Sequence, residues 1–407
     1  MNVVFVEPSF PGTQRNFVRA LAESGAYVIG IGDRPADWLG DELRGWLGEY
    51  HQVSDVTDAG VLTDAVRWVQ SRQWVDRLET TIEAHTLPVA HAREACDIPG
   101  TSIRTAWLCR DKPSMKQALR EAGVPTAASA AADTAEDVYA FADAVGFPLI
   151  LKPRTGAGAL DTIRVDTRDE LAGALDSMGA ADSIAVEEFV EGHEGFYDTL
   201  SVDGDPQLDF VSHYFPNVLE AMRTRWISPQ FIATIRVDNE ADYRQLRELG
   251  RQVNAALGIG TTATHMEWFF GPKGLRFSEI GCRPPGVGAW DLYSAGNDLD
   301  LYRAWAWADA IVHGSVGAHA SRSHAAGIVA LRPDRDGTIT GYEGIDEAQA
   351  QLGEWVMDAH LPPPGTPTQP VEAGYMANAY VRMRHPDYDV LRRMLDDVGR
   401  SVHVHAE

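Results

Sequence analysis

Cysteine is scarce: Cys96, Cys109 and Cys282 are the only three in 407 residues, an odd number without CxxC spacing. That pattern fits a reducing compartment better than a disulfide scaffold. Positive charge is also short. The 35 Lys and Arg face 59 Asp and Glu, a formal net charge of −24. Such an excess argues against a nucleic-acid backbone or an anionic membrane as partner, although a local cluster of a few cations still binds a small anion. No run reaches the roughly 18 apolar residues that span a bilayer. The opening MNVVFVEPSF lacks the basic region and longer apolar stretch of a signal peptide, so the expected address is the cytoplasm. The first strand-to-helix loop holds a lone Gly12 and no G-x-G-x-x-G, which disfavours a dinucleotide site there. Asp33, after the second strand, reads as a turn residue before it reads as a ribose acceptor.

A chain of this length exceeds one hydrophobic core and predicts two or three domains. The 44% hydrophobic and 23% charged residues are those of an ordinary globular protein. NVVFV, a helical pattern around Phe17 and Leu21, and AYVIGIG predict a doubly wound α/β domain over residues 1–104. A central segment, 105–315, alternates helices with strands and carries a small subdomain at about 122–187. The rest, 316–407, is expected to form a small α+β domain with a Pro-rich loop, LPPPGTPTQP. DLDLYRAWAWADAIVHG predicts one long amphipathic helix.

Four stretches carry chemistry. In HMEWFFGPKGLRFSEIGCRPPG, a three-residue connection Pro272 to Gly274 pairs Phe269 with Phe277 and Glu267 with Glu279. Like charges that close are tolerable if one is protonated, if cations pair with them, or if a divalent metal joins them; solvent-facing glutamates on a plain hairpin are the alternative. Lys152 ends the apolar strand FPLILKP, where an ammonium is costly without an anion. The loop after it, with Gly156 and Gly158, could cradle a phosphate, or could be a flexible turn; it lacks GK[ST]. Lys112 sits at a helix start, against the helix dipole, where free N–H groups would also suit a phosphate. VEEFVEGHEG runs from an apolar strand into Glu187, Glu188 and Glu194.

These four elements, in this order, resemble the ATP-grasp superfamily over most of the chain. The resemblance implies that Lys112 and Lys152 contact nucleotide phosphates beneath the Gly156–Gly158 loop. It implies that Glu187, Glu188, Phe189 and Val190 meet the adenine through backbone groups, and that Glu194 takes the ribose hydroxyls. It makes Glu267 and Glu279 ligands of Mg²⁺, one or two ions, with Mn²⁺ as a substitute. Arg283 then acts beside Lys152 on the transferring group. Gly281 departs from the pattern, standing where an asparagine ligand belongs, which leaves the number of metals open.

The implied reaction joins a small-molecule carboxylate to an amine through an acylphosphate, releasing ADP and phosphate, with amino acids or peptide-like molecules as substrates. For these, HYFPNVLEAMRTRWISPQ offers Tyr214, Arg223, Arg225 and Trp226, because an arginine pairs a carboxylate bidentately and an aromatic packs on a side chain; a basic surface loop is the alternative. A biotin carboxylase-like or purine carboxylase activity, a phosphotransferase, and a nucleotide-binding module without catalysis also stay open, as does assembly as a homodimer. Biotin carboxylase is the less fitting relative, since Pro284 to Trp290 contains no acid to serve as base for bicarbonate.

Overall fold

NVVFV is apolar without alternation because its strand is covered on both faces: Val3 to Val6 are fully buried. This strand, Asn2–Val6 (β1), runs parallel to Tyr27–Gly32 (β2) and Arg77–Glu79 (β4), and Glu49–Gln52 (β3) flanks β2, in the order β3-β2-β1-β4. The structure, a computed structural model, describes residues 1–154, 161–178, 183–302, 307–371 and 378–407. Gly156 and Gly158 lie outside the described residues.

A second sheet is antiparallel and has its own small core. It contains Ser129–Ala132 (β5), Leu149–Pro153 (β6), Ile163–Val165 (β7) and Ile184–Glu188 (β8), ordered β5-β8-β6-β7. Its entry is stitched to the rest of the molecule where Phe277 N–H donates to Pro125 O at 2.9 Å.

The largest sheet has eight strands. His193–Val202 (β9), Asp205–Phe215 (β10), Gln230–Ala233 (β11), Thr262–Gly271 (β12), Gly274–Gly281 (β13) and Ala325–Leu331 (β14) belong to it. After Ile339–Glu343 (β15), the strands Val356–His360 (β16) and Ala379–His385 (β17) complete the order β13-β12-β9-β10-β11-β14-β17-β16, while β15 pairs with His403–Ala406 (β18). Alternate residues of its strands feed two cores. Phe196 and Phe210 pack with Phe5, Phe17 and Trp290 of the N-terminal side, and Tyr197 and Val211 pack under the helices Lys112–Glu121 and Ala241–Leu257.

Three expectations are corrected here. The hairpin turn is tighter than three residues: Gly271 pairs with Gly274 and Trp268, not Phe269, with Phe277. A β-bulge after Phe277 absorbs Ser278 and restores Glu267 opposite Glu279. The long helix is not continuous: Asp298 takes φ 53° and the described helix is Trp307–His313, with 303–306 outside the described residues. Finally, β14, β16 and β17 are not a sheet of their own; they continue the eight-stranded sheet through β11.

Candidate active site

Helix Lys112–Glu121 starts where it does because Asp111 caps it, its carboxylate accepting from Ser114 N–H at 3.1 Å, with Pro113 in the first turn. The same carboxylate takes both Nε and Nη2 of Arg154, at 2.8 and 3.1 Å. This ties the helix to the end of β6. Lys112 and Lys116 then follow at i and i+4, on one face, and Lys152 approaches from β6.

The cations meet two carboxylates. Lys116 Nζ and Lys152 Nζ both donate to Glu187 Oε2, at 2.6 and 2.9 Å, and Lys112 and Lys152 lie 3.7 and 3.9 Å from Glu279 Oε2. Burial raises the cost of the Glu187 charge, yet Lys116 and Lys152 outweigh it and pull its carboxyl down to about 2. Burial also pulls Lys116 down to about 8, still a cation at neutral pH. The other Glu187 oxygen, Oε1, is buried without a hydrogen-bond partner among the described residues.

Glu267 is the less supported counterpart: His265 Nε2 lies 3.9 Å from it, and His265 and Lys152 pull its carboxyl down too weakly to offset the rest. Burial, Glu279 and Glu194 push its carboxyl up to about 8, whereas Lys112, Lys152 and Lys116 hold Glu279 below its ordinary value despite burial. Glu194 is pushed to about 7, chiefly by burial; its Oε2 accepts from Val218 N–H at 2.7 Å, and Asn217 holds its backbone N–H at 3.1 Å. Beneath Glu267, His265 Nδ1 is 2.7 Å from Asp198, to which Tyr293 OH donates at 2.5 Å. Asp198 keeps His265 more basic than an ordinary imidazole in spite of burial.

A cavity of about 410 Å³ opens above these groups, the size of a small-molecule site. Its walls bring together Lys112, Lys152, Glu187, Glu188, Phe189, Val190, Glu194, Arg223, Glu267 and Glu279. Glu187 and Glu188 are paired in the β-ladders of β8, so their backbone is engaged there; Phe189 and Val190 lie beyond the ladder. Arg164 stacks over the Phe189 ring at 4.1 Å.

Arg283 faces a smaller cavity, shared with Lys112 and Glu279, where its Nε donates to Glu83 Oε2 at 3.0 Å. Three expected substrate residues are elsewhere. Tyr214 is buried on β10 against Phe196 and Phe231. Arg225 is drawn to Asp336 at 2.7 Å, and Trp226 is 88% exposed and outside the cavity wall. Of the four expected residues Arg223 lines the cavity, donating to Thr162 O at 3.0 Å, beside Asn217, Val218, Leu219 and Glu220 of the same stretch.

Sequence reasoning missed Lys116 and Glu83. The i+4 spacing from Lys112 was the available signal for Lys116. Glu83 had none, because its contact with Arg283 crosses 200 positions.

Residues 111–195 match the family described as the carbamoyl-phosphate synthase L chain, ATP binding domain. An L-arginine-specific L-amino acid ligase of Bacillus subtilis is 26% identical over 325 residues, 76% of this chain and 75% of that protein. The alanine–anticapsin ligase of Bacillus subtilis strain 168 is 27% identical over 214 residues, 47% of this chain and 44% of that protein. In three dimensions the chain is similar along its whole length to an L-amino acid ligase from Bacillus licheniformis, with TM-score 0.77, 18% identity and 98% of that chain covered. The match over residues 111–195 and the overall likeness agree on an ATP-binding segment within an ATP-grasp fold.

Proposed function

We propose that the protein is an ATP-dependent, ADP-forming ligase that joins a carboxylate to an amine, with amino acids as substrates. The observation that carries this is the convergence of Lys112, Lys116, Lys152, Glu267 and Glu279 on one cavity. The similarity to proteins named as amino-acid ligases supports it.

A substrate carboxylate oxygen attacks the γ-phosphorus of ATP, the bond to the bridging oxygen breaks, and ADP leaves. The amine nitrogen then attacks the acylphosphate carbon, and phosphate departs with the electron pair of the C–O bond. Lys152 and Lys116 turn from Glu187 to the phosphate oxygens, and Lys112 offsets charge beside Glu279. Phe189 and Val190 receive the adenine, and Glu194 the ribose. Arg283 orients the substrate carboxylate from the smaller cavity.

Glu267 and Glu279 fit a divalent cation, because a buried carboxyl pushed to about 8 by its neighbours is relieved by one. Mg²⁺ held there would neutralise phosphate charge. Glu83 shares the smaller cavity with Glu279 and Arg283 and holds the Arg283 guanidinium in place.

Coupled ADP detection with pools of amino acids tests the reading. The expected result is amino-acid-dependent ADP, phosphate and an amide product, lost more than 100-fold in Lys152→Ala while the protein stays folded. A phosphorylated product would make it a phosphotransferase, AMP with pyrophosphate would refute the chemistry, and silence with bound ATP would leave a binding module.

A further inference from the structure

Cys109 and Cys282 are 173 positions apart, but the structure stacks them: the Cys282 thiol donates to Cys109 with Sγ atoms 3.0 Å apart. Both are buried. Their position is what matters. Cys282 stands between Gly281 and Arg283 at the end of β13, and Cys109 stands two residues before Asp111, the cap of the Lys112 helix. The pair therefore joins the two backbone segments that aim Arg283, Glu279 and Lys112.

We propose that Cys109 and Cys282 are a site of reversible oxidation, forming an intramolecular disulfide that shuts the active site down. A disulfide needs the sulfurs at about 2.05 Å, so closing the pair draws the strand end and the helix start together by about 1 Å. A shift of that size in positioning groups is worth on the order of 100-fold in rate.

Access for a small oxidant is built in. Cys109 lines a cavity of about 20 Å³ with Gly281, Glu83 and Arg283, and Lys112 and Glu279 line both this cavity and the main one. That volume admits one molecule of water size, which hydrogen peroxide only slightly exceeds. Gly281 adds no side chain to this space, where a Cβ would stand 3.1 Å from Glu83 Oε2.

The chemistry balances. Cys109 Sγ attacks one peroxide oxygen, the O–O bond breaks, and the departing hydroxide takes the thiol proton as water. Cys282 Sγ attacks the resulting sulfenic sulfur, the S–O bond breaks, and the second hydroxide leaves as water with the Cys282 proton. Two thiols lose two electrons, and peroxide becomes two waters. The close Cys282 sulfur and burial hold the Cys109 thiol protonated well above its ordinary range, so the pair answers to sustained peroxide and not to traces.

The test is to treat the full chain with hydrogen peroxide, then map non-reduced peptides by mass spectrometry and measure amino-acid-dependent ADP release. A peptide pair linking Cys109 to Cys282, two of three thiols consumed, a turnover loss of at least tenfold and recovery with dithiothreitol are expected. Cys282→Ser and Cys109→Ala should each keep their turnover under the same treatment. The peptide map reads out independently of the ligase reading, and either variant serves if the other does not fold. The proposal is overturned if Cys109 and Cys282 remain free thiols, if only Cys96 reacts, or if the disulfide forms with turnover unchanged.

Discussion

Glu267 shows how one residue carries a pH signature. Its carboxyl is raised to about 8 in the folded chain against 4.5 for an ordinary glutamate. Between those values the unfolded chain has released the proton that the folded chain keeps, so the folded state binds more protons and stability falls as pH rises. The contribution is full below pH 4.5 and gone above about 8. The metal-free protein should therefore melt at lower temperature at pH 8 than at pH 6. Glu267→Gln should flatten that slope, and millimolar Mg²⁺ should raise the melting temperature more at pH 8 than at pH 6 in the wild type only; scanning calorimetry over this range checks it. At this scale the sequence was informative where chemistry and place coincide. Lys112, Lys152, Glu267 and Glu279 are polar groups in apolar or dipole-opposed positions, and each reaches the cavity. Tyr214, Arg225 and Trp226 were chosen for residue type alone; strand parity turns Tyr214 into the core, an ion pair to Asp336 draws Arg225 away, and Trp226 stands in solvent.

Among the elements, the Lys112–Glu121 helix depends most on one group. Asp111 both caps it and grips Arg154. Asp111→Ala removes the cap, about 1 kcal/mol, and leaves Arg154 without its bidentate partner. A loss of about 2–3 kcal/mol in urea unfolding, with KM for ATP raised more than kcat is lowered, is the expected result. A change in stability without a change in KM would mean that the cap does not orient Lys112. The β12–β13 hairpin was legible in its outcome but not in its path. A tighter turn and a bulge at Ser278 offset one another, so Glu267 still faces Glu279. Turn length and bulge position are set by the neighbouring strand and by the Pro125 carbonyl that holds Phe277, and neither is local in sequence.

For the whole molecule, the alternation of helices and strands made the N-terminal α/β unit and the ATP-grasp fold readable. It did not reveal that residues after 315 complete the central sheet, because strand neighbours 100 positions apart leave no periodic trace. β14 hydrogen-bonds β11, and Phe231 and Ile232 are fully buried in the cores around them. A chain ending at residue 315 would leave β11 as a bare apolar edge, so it should be insoluble or lack cooperative unfolding by circular dichroism. Independent folding of that fragment would mean that the C-terminal strands are an accessory. The β5–β8 sheet stands differently, since its apolar core is its own. Its fastenings to the body include the Pro125–Phe277 stitch, the Asp111–Arg154 grip and the Lys116–Glu187 bond. A triphosphate that takes Lys116 and Lys152 away from Glu187 unties one of these fastenings and, by bridging the same two lysines, ties another in its place. On the proposed function, the nucleotide would itself be the pin that decides how tightly this small sheet is held to the body.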